Sequence, residues 1–146
     1  MPVAWPFTDL EGVELMDEHP NVALIRKGYA AFGSGDMAAL GELIASDVVW
    51  HSEGNNPLAG DYEGQEATFG LFARFFELSA GDMTQELHAV LADDEHGIAL
   101  LRQHIGRPDG RSYDGNEVHV FHLKDGKVVE FWGFSSDQAA ADAVLA

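Results

Sequence analysis

Cysteine is absent from this 146-residue sequence, so neither disulfide bonds nor thiol chemistry contributes to its fold or its function. Basic residues are few, because eight Lys and Arg stand against 25 Asp and Glu and give a formal charge of −17. A surface of that sign repels phosphate backbones and anionic membranes, which argues against nucleic-acid and membrane partners. No apolar run approaches the roughly 20 residues of a membrane span. The first residues do not resemble a signal peptide, so a cytoplasmic protein is expected.

The hydrophobic and aromatic content of the chain is typical of a packed globular protein. Hydrophobic residues make up 46% of the chain, and they include nine Phe and three Trp. The length suits one domain, which is predicted to span residues 19–146. Residues 1–18 contain two prolines and show no clear periodicity, so they are predicted to form an N-terminal arm.

Helical patterns come early in the chain, and strand patterns come late. Apolar spacing and capping residues predict helices at four places: from Pro20 to the Gly33-Ser34-Gly35 segment, after the cap Asp36, at 65–79, and at 136–145 behind a Ser135-Gln138 capping box. Besides a C-terminal hairpin, strands are predicted at 47–53, 83–92 and 97–107, and residues 54–64 are predicted to be a loop. This order, ααβαββββα, indicates an α+β fold.

Residues 112–134 are predicted to form a long β-hairpin around Asp125-Gly126, a strong turn signal. A two-residue loop would place His119 opposite Trp132, whereas a three-residue loop beginning at Lys124 would place it opposite Phe131. We favour the three-residue loop, because Lys124 and Asp125 suit right-handed conformations and Gly126 supplies the one positive φ. One face then carries Glu117, His119, Phe121, Val129, Phe131 and Gly133, and the other carries Val118, Val120, His122, Val128, Glu130 and Trp132.

Neither face of this hairpin is plainly polar, so a cavity is expected on one side of the sheet and a partner on the other. His119 is the main candidate for chemistry, because an imidazole among apolar neighbours can exchange protons near pH 7. Glu117 on the same face could hydrogen-bond the ring. Trp50 and His51 are adjacent on a strand, so only one faces inward, and an inward His51 would meet His119 across the cavity. Alternatively, His51 points outward and His119 merely shapes the cavity.

Other residues are candidates for binding a ligand. Arg102 and His104 share one face of the predicted strand 97–107, and inside a pocket they would suit a carboxylate or phenolate. We favour an edge or interface position for both. The candidate walls of the cavity are Trp50, Tyr29, Phe72, Phe76, Phe121 and Phe131. The histidines do not have metal-ligand spacing, and phosphate-binding glycine loops are absent, so neither a metal nor a cofactor is expected.

The order of several short motifs resembles the SnoaL-like branch of the nuclear transport factor 2-like superfamily, which also contains the ketosteroid isomerases. These motifs are Gly35-Asp36, residues 47–51, Gly60 with Gly64, residues 118–121 and 125–130, Trp132, and Asp137-Gln138. The resemblance implies a cone-shaped, cystatin-like α+β barrel roll, in which a curved antiparallel or mixed sheet wraps around N-terminal helices and encloses an internal apolar pocket. It also implies a homodimer through the outer sheet face.

The resemblance transfers activity less well than fold. Ketosteroid isomerases use a tyrosine on the first helix and two aspartates on strands, and these positions fall on Gly28, on or near Ser52, and on His119. Tyr29 is one residue away from the tyrosine position and is expected to face differently, so steroid isomerase activity is not expected. SnoaL-type polyketide cyclases pair an Asp with a His, and no matching Asp is present on the strands here.

These observations support one main hypothesis and two alternatives. The main hypothesis is a cofactor-independent isomerase, cyclase or lyase that acts on a small apolar carbonyl or polyketide-like compound. In it His119 transfers the proton, assisted by Glu117 and His51. The first alternative is a ligand-binding module without catalysis. The second is a dimeric scaffold whose cavity is filled by its own side chains, such as the arm at 5–7.

Overall fold

The structure, a computed structural model, describes residues 18–146, so the arm predicted at 1–18, apart from Glu18, and its segment 5–7 lie outside the described residues. The helices are α1 (Pro20–Ser34), α2 (Met37–Leu43), α3 (Gln65–Ser79) and α4 (Gln138–Leu145). The strands are β1 (Ile44–Ser52), β2 (Gly60–Glu63), β3 (Met83–Ala92), β4 (His96–Gly106), β5 (Ser112–Lys124) and β6 (Lys127–Ser135). Among these residues, no helix has the length and apolar character needed to cross a membrane.

The six strands form one curved, unclosed mixed sheet in the order β2-β1-β6-β5-β4-β3. Strands β1 and β6 are parallel, and every other neighbouring pair is antiparallel. Helix α1 contacts β3 and β4, α2 contacts β1 and β6, and α3 contacts β1 and β2. The predicted α+β fold, with a curved mixed sheet around the N-terminal helices, is therefore confirmed.

Capping residues define the first two helices as the sequence predicts. Pro20 opens α1, and Gly35 ends it in a left-handed conformation with φ of 72°. The carboxylate of Asp36 then accepts a hydrogen bond from the backbone N–H of Ala39 at 3.0 Å and so caps α2. These two turns direct the chain from α1 into β1.

The C-terminal cap and one strand differ from the predictions. Asp137, not Ser135, caps α4, because its carboxylate accepts from the backbone N–H of Ala140 at 3.1 Å. Ser135 instead hydrogen-bonds the backbone N–H of Asp137 at 3.1 Å and the hydroxyl of Tyr113. Residues 60–63, predicted as part of a loop, form the edge strand β2. Its four mostly exposed residues carry no apolar alternation that would have revealed it.

The hairpin between β5 and β6 has the two-residue loop, so the favoured three-residue loop is wrong, and a bulge shifts the register beyond the first two pairs. Its loop has two residues, since Lys124 pairs with Lys127 while Asp125 and Gly126 both have positive φ, of 52° and 74°. That geometry is the primed turn whose twist matches a β-hairpin. A bulge then leaves Val129 without a partner, so His119 lies opposite Gly133 rather than Trp132 or Phe131.

Because of the bulge, the faces of the hairpin differ from the prediction at one place. Val128 is buried against the core, in place of Val129. Beyond the bulge the alternation is as predicted, and five residues of the expected inner face line a cavity: Glu117, His119, Phe121, Phe131 and Gly133.

The left-handed turn gives a test of the hairpin register. Replacing Asp125 by Ala should lower the free energy of unfolding by about 1 kcal/mol, because a left-handed conformation is costly for residues other than Gly, Asn and Asp. Asp125→Asn is the matched control and should leave stability unchanged or slightly improved. Urea unfolding of both variants measures the difference. Equal stability of the Ala and Asn variants would contradict a positive φ at this position.

Candidate functional site

A cavity of about 160 Å³ lies between the concave face of the sheet and helices α1, α2 and α3. For comparison, an engineered apolar cavity of about 150 Å³ binds benzene. A ligand of one or two rings therefore suits this space. Apolar and aromatic side chains form most of the lining, and the polar residues among them include Tyr29, Gln85, Gln103, Glu117 and His119.

Aromatic side chains form one wall of the cavity. Trp50 on β1 stacks on Phe131 with ring centres 3.9 Å apart and planes 9° apart, and Phe72 of α3 meets the indole edge-on at 5.0 Å. Gly28 of α1 also lines the cavity, and a Cβ built there would have no neighbour within 4 Å. The helix therefore leaves room for a ligand at this point.

His119 lies at the polar side of the cavity with both ring nitrogens hydrogen-bonded. It is only 6% exposed, its Nε2 is 2.8 Å from Oε1 of Glu117, and its Nδ1 bonds with the hydroxyl of Tyr29. The strand period of two brings Glu117 and His119 to one face. Helix α1 crosses that face and brings the phenol of Tyr29 alongside the imidazole. Tyr29, which the sequence predicts as a wall of the cavity, therefore also contacts the imidazole.

The proton on His119 decides how Tyr29 can act toward a ligand. Burial and then the charge of Glu117 raise the pKa of Tyr29 well above its ordinary value, so the hydroxyl stays protonated at neutral pH. When Glu117 is ionised, it accepts a hydrogen bond from Nε2–H of the neutral ring. Nδ1 then accepts a hydrogen bond from the hydroxyl of Tyr29. When the ring gains a second proton, Nδ1–H donates to the phenol oxygen. The hydroxyl proton of Tyr29 is then free to donate into the cavity.

A second tyrosine extends this polar chain beyond Glu117. The hydroxyl of Tyr113 bonds with Ser135 and lies close enough to Glu117 to interact with its carboxylate. Burial raises the pKa of Tyr113, the hydrogen bond with Ser135 opposes that rise, and the charge of Glu117 adds to it. Gly115 leaves the room that this arrangement needs, since a Cβ there would overlap the phenol of Tyr113. The polar groups thus run continuously from α1 across β5 to the end of β6.

The structure places His51 on the opposite face of the sheet from His119. Its Nδ1 is 2.6 Å from Asp61, its Nε2 is 2.7 Å from Glu130, and its ring stacks on Trp132. Because Trp50 occupies the inward position of β1, the alternation of the strand turns His51 outward. The predicted meeting of His51 and His119 across the cavity is wrong.

Arg102 and His104 also lie on the outer face, as the favoured interpretation expected, so their prediction as ligand-binding residues is wrong. His104 sits between Asp82 and Asp114, with both N–O distances at 3.0 Å. Arg102 Nη1 donates to the side-chain oxygen of Asn116 at 3.3 Å. Side chains alternate between the two faces along β4, and the inward positions are Ala99, Leu101, Gln103 and Ile105. Arg102 and His104 therefore point outward.

Of the aromatic residues predicted as walls of the cavity, all but one line it. Phe76 packs against Phe32 and is not part of the lining, whereas its neighbour Phe75 is. The other predicted wall residues line the cavity: Trp50, Tyr29, Phe72, Phe121 and Phe131.

Sequence reasoning missed four polar groups of the inner face, namely Gln85, Gln103, Tyr113 and Ser135. A signal was present for Gln103, because it stands between Leu101 and Ile105 at the inward phase of β4. A polar residue in that phase is the exception that marks a binding position or a buried network.

Two outer-face histidines predict how stability depends on pH. Glu130 and then Asp61 raise the pKa of His51 against the effect of burial, and Asp114 and then Asp82 do the same for His104. A histidine whose pKa is higher in the folded than in the unfolded protein stabilises the fold. This stabilisation is complete at pH values below the unfolded pKa of about 6.5, and it is lost as the pH rises through the folded pKa. The melting temperature should therefore fall as pH rises from about 6 to 8. In the double variant His51→Gln, His104→Gln, calorimetry should find a shallower fall, and an unchanged slope would contradict the two ion pairs.

Comparison with known proteins identifies the family. The model of the SnoaL-like domain matches residues 25–131. Among curated proteins, the uncharacterized protein Rv0034 of Mycobacterium tuberculosis is 29% identical over 132 residues, which cover 90% of this chain and 100% of that protein.

Solved structures share the fold over nearly their whole length. Bal32a, from a soil-derived mobile gene cassette, is 35% identical with a TM-score of 0.83 and covers 87% of this chain and 97% of its own. IdmH, a proposed polyketide cyclase from Streptomyces antibioticus, is 22% identical with a TM-score of 0.67 and covers 86% and 99%, so it shows a shared fold alone. These matches confirm the resemblance found in the sequence, and the chain belongs to the family of SnoaL-like domains.

Proposed function

We propose that this protein is a cofactor-independent acid–base enzyme, of the isomerase, cyclase or lyase kind, that acts on a small apolar carbonyl or polyketide-like compound. The observation that carries the proposal is the buried His119, held between Tyr29 and Glu117 on the wall of an apolar cavity. An apolar pocket with a few convergent polar groups is the usual form of a small-molecule site. The fold shared with IdmH, a proposed polyketide cyclase, supports the same class of substrate.

The first step is proton abstraction next to the ligand carbonyl. The phenol oxygen of Tyr29 takes the proton from the carbon while its own proton passes to Nδ1 of His119. The C–H electron pair becomes the enolate, and the positive charge appears on the imidazolium beside Glu117. Because the pKa of Tyr29 is raised, this coupled transfer is favoured over a free phenolate.

The second step returns the proton at a new position. The imidazolium donates Nδ1–H to the phenol oxygen, so the hydroxyl of Tyr29 now donates into the cavity. Returning the proton to a different carbon gives an isomerase. Attack of the enolate on a second carbonyl before reprotonation gives a cyclase. The aromatic wall makes the surroundings of His119 less polar, which strengthens the ion pair of His119 with Glu117 during either reaction.

One observation favours a second candidate, which is ligand binding without turnover. Both nitrogens of His119 are already hydrogen-bonded to protein groups, so neither is free to touch a ligand directly. In that case Tyr29 serves only as a hydrogen-bond partner for a bound carbonyl. Solvent exchange of protons on the ligand separates the two candidates, because binding alone does not exchange them.

The catalytic proposal predicts deuterium exchange that depends on His119. In D₂O the protein should accelerate deuterium incorporation next to the carbonyl of 1-tetralone or 2-tetralone, which are small two-ring ketones, as measured by mass spectrometry. His119→Gln should lower that rate by about 10²- to 10⁴-fold, the usual contribution of a positioned acid–base group. His122→Gln is the matched control, because His122 lies on the same strand but on the outer face, with its side chain 44% exposed.

Exchange at the same rate in His119→Gln and wild type would remove the acid–base role. Saturable binding of the ketones, seen as quenching of tryptophan fluorescence, without any accelerated exchange would support the second candidate.

We also infer a homodimer formed through the outer sheet face. This face carries Val118 and Val120 of β5 and Trp132 of β6, and the register places Ile98 and Phe134 beside them. Ile98, Val118 and Phe134 are 40%, 37% and 51% exposed. Contiguous apolar exposure of this kind is typical of association surfaces. The cytoplasmic location and the lack of a nucleic-acid partner stay predictions from composition.

The dimer has a direct test in solution. Light scattering coupled to size-exclusion chromatography should give twice the chain mass at micromolar concentration. Val118→Glu should give the monomer mass, because it buries a charge in the interface, and Val118→Ala should remain dimeric. A monomeric wild-type protein would contradict the interface.

A further inference from the structure

Two amide side chains form a second polar group in the cavity, separate from His119. Gln85 of β3 pairs directly with Gln103 of β4, and Nε2 of Gln85 donates to Oε1 of Gln103 at 2.8 Å. Both side chains line the cavity, and Gln103 is only 7% exposed. Their neighbours on the inner face of β4, Leu101 and Ile105, are apolar. Apolar residues would therefore suit the two positions if they served only to fill the core.

The single bond between the two amides leaves one donor group and one acceptor unused. Within residues 18–146, the NH₂ of Gln103 and the carbonyl oxygen of Gln85 have no other hydrogen-bond partner. If both amides are turned over, the two free groups exchange places, but one donor and one acceptor still remain. Neither group is completely enclosed by protein, so a molecule in the cavity can reach both. Polar groups beside an apolar surface are most favourable when something pairs with them.

The sheet register sets the distance of the amide pair from His119. Gln103 lies opposite Gly115, whereas Ala99 lies opposite His119. Four residues of strand separate these positions, which is roughly 14 Å between backbones at about 3.4 Å per residue. Both groups lie on the inner face of the sheet, so they line the cavity at two separate places. A two-ring compound suits that separation and the cavity volume of about 160 Å³.

We propose that Gln85 and Gln103 form a subsite for a ring hydroxyl at the end of the ligand opposite to its reacting carbonyl. A hydroxyl group donates to the free amide oxygen and accepts from the free N–H, so one substituent satisfies both groups. An ether oxygen satisfies only the donor, and a hydrogen atom satisfies neither. This inference rests on the proposed function for the carbonyl end, and it narrows the substrate class to hydroxylated two-ring ketones.

Three matched ketones test the subsite by binding alone. Calorimetry compares 6-hydroxy-1-tetralone, 6-methoxy-1-tetralone and 1-tetralone. The wild-type protein should bind the hydroxyl compound about tenfold more tightly than the other two, because those leave a buried amide group unpaired. In Gln103→Leu this preference should vanish, while affinity for 1-tetralone stays equal or rises. Arg102→Gln is the control and should keep the preference, since Arg102 is the neighbour of Gln103 on β4 but lies exposed on the outer face.

The outcomes separate this proposal from the catalytic one. Equal affinity of the wild-type protein for all three ketones, or binding of none, would overturn the subsite whether or not proton exchange occurs. A hydroxyl preference that Gln103→Leu removes supports the subsite even if no exchange is seen, and in that case the catalytic proposal alone fails. Should Gln103→Leu fold poorly, Gln85→Leu on the edge strand β3 gives the same comparison. A preference that persists in a folded Gln85→Leu or Gln103→Leu variant would overturn the proposal.

Discussion

The contact between a buried imidazole, a phenol and a carboxylate is the interaction on which the site depends. His119 can remain inside the sheet only because Tyr29 and Glu117 occupy both of its ring nitrogens. Removing either partner would leave a buried polar group unpaired, and in the proposed mechanism the loss of Tyr29 would also break the path of the proton. Stability and function are therefore coupled at this point. The coupling explains why the chain carries polar residues at inward positions that would otherwise be apolar.

Several features of the fold serve to hold these three groups together. Helix α1 must cross the concave face so that Tyr29 reaches β5, and the strand alternation must keep Glu117 and His119 in phase. Gly133 lies opposite His119, where a Cβ would be 3.4 Å from the imidazole. Gly115 makes room for Tyr113 behind Glu117. Small residues at these places let the polar chain pass through a closely packed sheet.

The two faces of the sheet use histidine in different ways. On the outer face, His51 and His104 each lie between two carboxylates, which raise the pKa of each ring. These pairs offset part of the repulsion in a chain of formal charge −17. On the inner face, His119 has one carboxylate and one neutral phenol. The two faces therefore surround the imidazole with different hydrogen-bond partners.

Local signals in the sequence predicted the architecture well but the site only in part. The caps of α1 and α2, helix α3 at 65–79 and strand β3 at 83–92 are as predicted, because proline, aspartate and apolar periodicity act within one element. The same periodicity correctly placed Glu117 and His119 together. Asp125-Gly126 allowed either a two-residue or a three-residue loop, and the bulge at Val129 depends on a backbone conformation for which the sequence carries no local signal, so the register beyond it was not predicted. The outward turn of His51 and the pairing of Gln85 with Gln103 depend on how distant strands meet.

The most direct measurement is the position of the proton on His119, which two-dimensional ¹H–¹⁵N NMR of the imidazole nitrogens reports. Comparison with His119→Gln assigns the signals. For the neutral ring, the proposed mechanism predicts a proton on Nε2 facing Glu117 and an unprotonated Nδ1 whose signal moves in Tyr29→Phe. A proton on Nδ1, or nitrogen signals like those of an exposed histidine that do not respond to Tyr29→Phe, would contradict it.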